Sequence, residues 1–305
     1  MIRTLRQACR LARTLGPTRT IDRRYTTELA SHMSNQIAFV REQGSGPSVV
    51  CLHTSAGSSA QWRHLMEAIA PSFKVFAPDF YGDGKSPPLP KGREFEEGHD
   101  IDLIQPVLER AAPFHLVGHS YGGAIALRIA LQQPEKVLSL ALYEPALWGL
   151  LEANWPLEAG TKEIQRVRQR LVEQASAGLL EEGSKGFIDY WTGAGAWDRT
   201  PSERKPALAE SVRACAMKWV RSLGYSVAES DVAGLQCPVL VVSGSRTTEA
   251  ARSVVTHLRD LLPQAQFVEL GGLGHMGPVT HAQLVAEPIR AFLSSIAGSP
   301  AVRGG

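Results

Sequence analysis

Three short stretches of this 305-residue chain carry side chains suited to nucleophilic catalysis. The first is LVGHSYGG at 116–123, which contains G-x-S-x-G as Gly118-His119-Ser120-Tyr121-Gly122 between an apolar run and an amphipathic one. A serine hydroxyl attacks carbonyl carbon only when a base can take its proton. A sharp strand-to-helix turn would lift that hydroxyl above a sheet, and the flanking glycines let neighbouring backbone approach without a clash. The same turn sets Ser120 at a helix N-terminus, where backbone N–H groups favour developing negative charge. The bland alternative is a glycine-rich turn around a solvated serine, but the strand and helix patterns on either side favour a nucleophile.

The second stretch, LHTSAGSSAQW at 52–62, follows an apolar run. A tight turn there can aim a backbone N–H at the space above Ser120. Ser55, with Thr54 beside it, is the expected donor, and with the N–H of Tyr121 it would form an oxyanion hole. Otherwise His53 and Thr54 simply end a strand and cap a helix. The third stretch is GGLGHMGP at 271–278, where His275 follows the last strand-like run and glycines give its loop reach. His275 is the expected general base. His281 lies six residues further on, but no carboxylate or cysteine cluster accompanies it, so no metal site is expected. His119 is expected to pack and hydrogen-bond.

GHSYGG, PDFYGDGKS at 78–86 and GLGHMGP together make the chain resemble the α/β-hydrolase superfamily across roughly residues 36–297. The resemblance implies an eight-stranded, mostly parallel sheet flanked by helices, an inserted cap, a Ser–His–acid triad and no cofactor. Asp79 matches a position that is usually structural in such proteins. One element of the pattern is missing. The superfamily most often carries its acid in a G-x-x-D sequence after the strand that matches 238–243, and here those residues are Gly244-Ser245-Arg246-Thr247. Threonine holds no negative charge against an imidazolium. Glu249, two residues on, is one replacement, although it also suits the first turn of the next helix. Glu144, in LYEP directly after the run 137–143, is the favoured one. Haloalkane dehalogenases resemble this arrangement, Pro145 would end the strand and hold Glu144 at the sheet's carboxyl edge, and the order Ser–acid–His is kept. A diad without any acid is the third option.

These groups need a scaffold, and the hydrophobic pattern supplies one. Strands are predicted at 37–41, 48–53, 74–77, 114–118, 137–143, 238–243 and 266–270, several as near-continuous apolar runs of the kind buried on both faces of a parallel sheet. Helical periodicity at about 60–70, 100–111, 121–133, 248–262 and 281–297 alternates with them, which predicts an α/β architecture. Residues 145–235 break the rhythm: no strand stands out, and five of the six tryptophans fall there. This segment is predicted to be a helical cap over the carboxyl edge of the sheet, with the core in 33–144 and 236–298 and a tail at 299–305. Trp148, Trp191 and Trp197 are its expected substrate contacts, against the plainer reading of tryptophans as the cap's own core.

Composition sets the outer bounds. A chain 44% hydrophobic and 20% charged with a formal net charge of +2 points neither to nucleic acid nor to an acidic ligand. No apolar run approaches the ~20 residues of a membrane span. Cys9, Cys51, Cys215 and Cys237 lack C-x-x-C spacing and are expected as free thiols in a reducing compartment. Residues 1–32 stand apart at a net +5, which leaves −3 for the remainder. Their arginines and small apolar residues segregate on a helical wheel. That composition suits a mitochondrial transit peptide, or else an upstream extension outside a fold that starts near Met33; the expected location is cytoplasmic, with mitochondrial as the alternative if residues 1–32 are a transit peptide. The expected partner is a small-molecule substrate; nothing in the sequence sets the oligomeric state. The expected function is hydrolysis of a small, mainly apolar ester, thioester or related carbonyl compound through an acyl-enzyme. Carbon–carbon hydrolysis of a ring-cleavage product and non-catalytic ligand binding on the same fold are the alternatives.

Overall fold

The computed structural model describes residues 36–90, 95–96, 98–221 and 227–298. The basic stretch 1–32, with Cys9 in it, and the tail 299–305 lie outside the described residues. Seven strands form one sheet: β1 Val40–Gln43, β2 Ser48–Leu52, β3 Lys74–Pro78, β4 Phe114–His119, β5 Val137–Tyr143, β6 Val239–Gly244 and β7 Gln266–Leu270. Their order is β1-β3-β2-β4-β5-β6-β7, and all pairs are parallel except β1 with β3. The sheet is thus the expected mostly parallel one, but with seven described strands where the resemblance implies eight. The first strand also starts three residues later than its apolar pattern suggests. The Phe39 N–H donates to Ser86 Oγ at 2.9 Å, so a loop, not the ladder, holds that end.

Alternate residues of each strand feed two separate cores, as the period of two requires. Val50, Leu52, Leu116, Leu140, Leu142 and Val241 pack on one face beneath helices α2 (His99–Ala111) and α3 (Tyr121–Gln132). Val49, Cys51, Val117, Ala141, Leu240 and Val242 pack on the other, beneath α1 (Arg63–Ile69) and the final helix Ala282–Ala297. With both faces covered, β4 is buried along its whole length. Between β5 and β6 the described residues hold no strand. They form helices α4 (Trp148–Asn154), α5 (Ala159–Ser176), α6 (Leu180–Thr192), α7 (Ala196–Arg199), α8 (Lys205–Arg221) and α9 (Glu229–Ala233).

The strand order locates the crevice. From β2 the chain steps to β3 on one side, and it then returns to lay β4 on the other side of β2. At such a switch the loops leaving the two carboxyl ends diverge and open a cleft between them. The loop after β2 carries Thr54 and Ser55, and the turn after β4 carries Ser120.

Candidate active site

Among the described residues three non-glycines adopt positive φ, a conformation that β-carbon sterics disfavour: Ala56, in the turn after β2, at +53°, and two that directly follow neighbouring strands. Ser120 has φ +53° and ψ −117°, and Glu144 has φ +41°. Surrounding hydrogen bonds hold each in place. The Ser120 N–H donates to the Tyr143 carbonyl at 3.0 Å, while the Ser120 carbonyl accepts from the N–H groups of Gly123, Ala124 and Ala146. The Glu144 N–H donates to the Val242 carbonyl at 3.1 Å. Both strained residues end adjacent strands, β4 and β5, so their side chains emerge side by side.

His275 lies between them. Its Nε2 is 2.9 Å from Ser120 Oγ, and its Nδ1 is 2.8 Å from Glu144 Oε2. A carboxylate only accepts, so Nδ1 carries the proton and Nε2 is left to accept from the serine hydroxyl. Glu144 is fully buried, and a buried carboxylate needs several donors. It receives the Gly244 N–H at 2.8 Å on Oε1 and the Thr247 hydroxyl at 2.6 Å on Oε2. Thr247, which stands where the resemblance would place an acid, here donates to a carboxylate from the neighbouring strand. Glu249 lies elsewhere: it is half exposed, opens the helix Glu249–Leu261 and pairs with Arg252 at 3.7 Å.

The loop carrying His275 is anchored beneath. His119 Nε2–H donates to the His275 carbonyl at 2.9 Å, and the Tyr143 hydroxyl donates to the Gly274 carbonyl at 2.8 Å. Burial, reinforced by the charge of His275, pulls the His119 pKa well below its usual value and keeps that ring neutral. Burial, reinforced by the neighbouring Glu144 carboxylate, likewise raises the Tyr143 phenol, so it stays a donor.

The turn after β2 is built as carefully. His53 accepts the Phe80 N–H at 3.2 Å through Nε2 and donates from Nδ1 to the Thr54 carbonyl at 2.7 Å; burial lowers its pKa to about 4. Asp79 accepts the Ser59 and Lys85 N–H groups, which gives it the structural part that the PDFYGDGKS resemblance implies. The Thr54 N–H is taken by Gln61 Oε1 at 3.3 Å.

Ser55, Ser120, Tyr121 and His275 line one cavity of about 1410 Å³. Trp148, Phe187, Trp191, Trp219 and Met276 supply much of its apolar wall. Trp148 stacks on Trp191 with centroids 5.9 Å apart, and Trp191 lies 4.2 Å from the His275 ring. Trp197, the third tryptophan expected at the substrate, is not among the lining residues. Its ring is 2% exposed, lies under the Lys205 ammonium, and packs inside the helical segment. Phe187 and Trp219 stand in the wall instead; their letters alone did not separate wall from packing core. Among the described residues no group of three or more His, Cys, Asp or Glu side chains is placed to hold a metal ion, and His281 is paired with Thr280. The described cysteines Cys51, Cys215 and Cys237 are free thiols. No helix of the described residues is long and apolar enough to cross a membrane.

Comparison with known proteins adds to this geometry. Residues 47–282 match the family model of the alpha/beta hydrolase fold. The chain is similar, at 28% identity over 80% of its own length and 93% of the relative's, to a pimeloyl-(acyl-carrier protein) methyl ester esterase of Chromobacterium violaceum. It is 27% identical to a 2-hydroxymuconate semialdehyde hydrolase of a Pseudomonas species, over 82% of this chain and 84% of that one. Among solved structures, a thermophilic esterase from Thermogutta terrifontis superposes with a TM-score of 0.62 at 22% identity, covering 85% of this chain and 93% of that chain.

Proposed function

The chain belongs to the α/β-hydrolase family, and from that premise we propose that it cleaves a mainly apolar ester, thioester or related carbonyl substrate through an acyl-enzyme on Ser120. The supporting observation is the unbroken hydrogen-bonded line from Ser120 Oγ through His275 to Glu144, opening at its serine end into an apolar cavity. Ser120 Oγ attacks the carbonyl carbon while His275 Nε2 takes its proton. The N–H groups of Ser55 and Tyr121 receive the oxyanion. Glu144 holds the His275 tautomer and stabilises the imidazolium without itself taking the proton. The imidazolium then protonates the departing alcohol or thiol. A water, deprotonated by His275, releases the acid and restores Ser120. No step draws on a cofactor.

In this reading residues 145–235 act as the cap over the core segments 33–144 and 236–298. The cavity exceeds the ~300–1,000 Å³ of a drug-sized ligand site, which leaves room for an acyl or leaving portion larger than a short alkyl chain. Trp148 and Trp191 contact it. Carbon–carbon hydrolysis is the second reading, favoured by the similarity to the 2-hydroxymuconate semialdehyde hydrolase. Reaction with a fluorophosphonate followed by peptide mass analysis tests the nucleophile: a stoichiometric adduct on Ser120 is expected. An unlabelled, folded protein would return the chain to the ligand-binding alternative.

A further inference from the structure

A buried ionic cluster lies beside the elbow and takes no part in the chemistry above. Asp100, at the start of α2, is fully buried. Its Oδ2 accepts the Tyr121 hydroxyl at 2.6 Å and the Lys218 ammonium at 2.8 Å, and its Oδ1 accepts the Tyr81 N–H at 2.9 Å. Lys218 comes from a different place, helix α8 in the segment between β5 and β6, and its side chain is only 11% exposed. Its ammonium lies 5.1 Å from the Tyr121 ring centroid, 5.0 Å from Phe95 and 5.9 Å from Phe80, with Asp83 at 4.0 Å. Tyr121 is therefore gripped twice, at its hydroxyl by Asp100 and at its ring face by Lys218.

Burying an ammonium and a carboxylate costs more than packing two apolar side chains of the same size, so such a pair contributes little to stability by itself. In some proteins such pairs fix geometry, and here both partners bear on one side chain, Tyr121. Burial alone would lower the Lys218 pKa, but the Asp100 and Asp83 carboxylates outweigh it and raise the pKa, so the cation persists.

We propose that Asp100 and Lys218 are positioning residues for the oxyanion hole: together they fix the Tyr121 side chain, and through it the Tyr121 backbone N–H, once helix α8 is docked over the sheet edge. The inference rests on the acyl-enzyme reading, in which that N–H receives the oxyanion.

The test is single-turnover acylation of the full chain by a p-nitrophenyl ester, with the dissociation constant KS taken from the concentration dependence of that rate. Tyr121→Phe keeps the ring and removes only the hydroxyl; Lys218→Met keeps the length and removes the charge. Each is expected to slow acylation roughly 10- to 100-fold, the scale of a misplaced oxyanion donor, with KS changed by less than about twofold. Lys218→Arg is expected to recover most of the rate, since a planar cation still pairs with Asp100. Thermal melts identify a variant that has not folded, and Tyr121→Phe decides the matter should Lys218→Met fail. Wild-type acylation rates in both variants would overturn this inference and leave the acyl-enzyme reading standing. A rise in KS at an unchanged limiting acylation rate would make Lys218 a substrate contact and also overturn it. Absence of acylation in the unmodified protein would overturn both.

Discussion

A carboxylate buried to the extent of Glu144 is tolerable only because three donors converge on it: the Gly244 N–H, the Thr247 hydroxyl and His275 Nδ1–H. Glu144→Gln keeps the size but presents an N–H₂ group to donors, so the His275 tautomer is lost; turnover is expected to fall by roughly two to four orders of magnitude, measured as kcat on a p-nitrophenyl ester. Thr247→Val removes one of the three donors and leaves the charge. A loss nearer tenfold is expected, in line with a single charge-assisted hydrogen bond. Equal, near-wild-type activity in both variants would move the acid elsewhere, with Glu249→Gln as the next substitution to assay. At this scale Ser120 and His275 are legible because their glycine-flanked motifs are local in sequence. The position of Glu144 is legible only from its place between a strand and Pro145. The parts of Thr247, Gly244 and Lys218 are not, since each depends on a partner about 100 residues away or more, and no local pattern encodes that proximity.

The elbow works as an element because backbone passes backbone at close range. A β-carbon on Gly122 would lie 2.3 Å from the Leu52 carbonyl oxygen, and one on Gly118 would lie 2.5 Å from the Gly122 carbonyl oxygen. Neither backbone can yield without moving β2 or α3. Gly122→Ala is expected to destabilise the fold by about 3 kcal/mol, the upper range for overpacking, read from the urea midpoint. An unchanged midpoint would show that the turn has slack that these distances do not allow. All seven strands were legible in the apolar pattern, because burial on both faces writes a continuous hydrophobic run into the sequence. The start of β1 was not, since the Ser86 hydroxyl that takes the Phe39 N–H lies 47 residues away. The individual helices between β5 and β6 were legible only as a region. Several are short, and their buried apolar residues are shared between neighbouring helices, the cavity wall and the core on one face of the sheet, which blurs the periodicity.

At the level of the whole molecule, three buried histidines set how stability responds to acid. Burial lowers the pKa of His53 and of His115 from 6.5 to about 4, and places His119 well below 6.5. A base whose pKa falls on folding takes up its proton in the unfolded chain first, so stability present above pH 6.5 is lost as the pH drops toward 4. Asp83 opposes this: burial raises it from 3.8 to about 7, so the folded form binds its proton more readily over the same range. Three groups outweigh one, and the unfolded chain takes up about two more protons than the folded one. The melting temperature is expected to decline steadily from pH 6.5 to 4, and a flat profile would mean that the three rings are not held neutral. The tryptophan-rich segment was legible as a helical stretch that interrupts the strands. Which tryptophans face the cavity was not, because Trp191 and Trp197 are both buried, and only the helix packing turns one toward His275 and the other inward.

The most direct test of the central claim is pre-steady-state hydrolysis of p-nitrophenyl esters of increasing acyl length by the full chain, beside Ser120→Ala and Glu144→Gln. The geometry predicts a burst of p-nitrophenol approaching one equivalent per chain, absent in Ser120→Ala and slowed at least a hundredfold in Glu144→Gln. A burst that persists in Ser120→Ala, or its absence in the unmodified folded protein at every acyl length, would contradict an acyl-enzyme on Ser120.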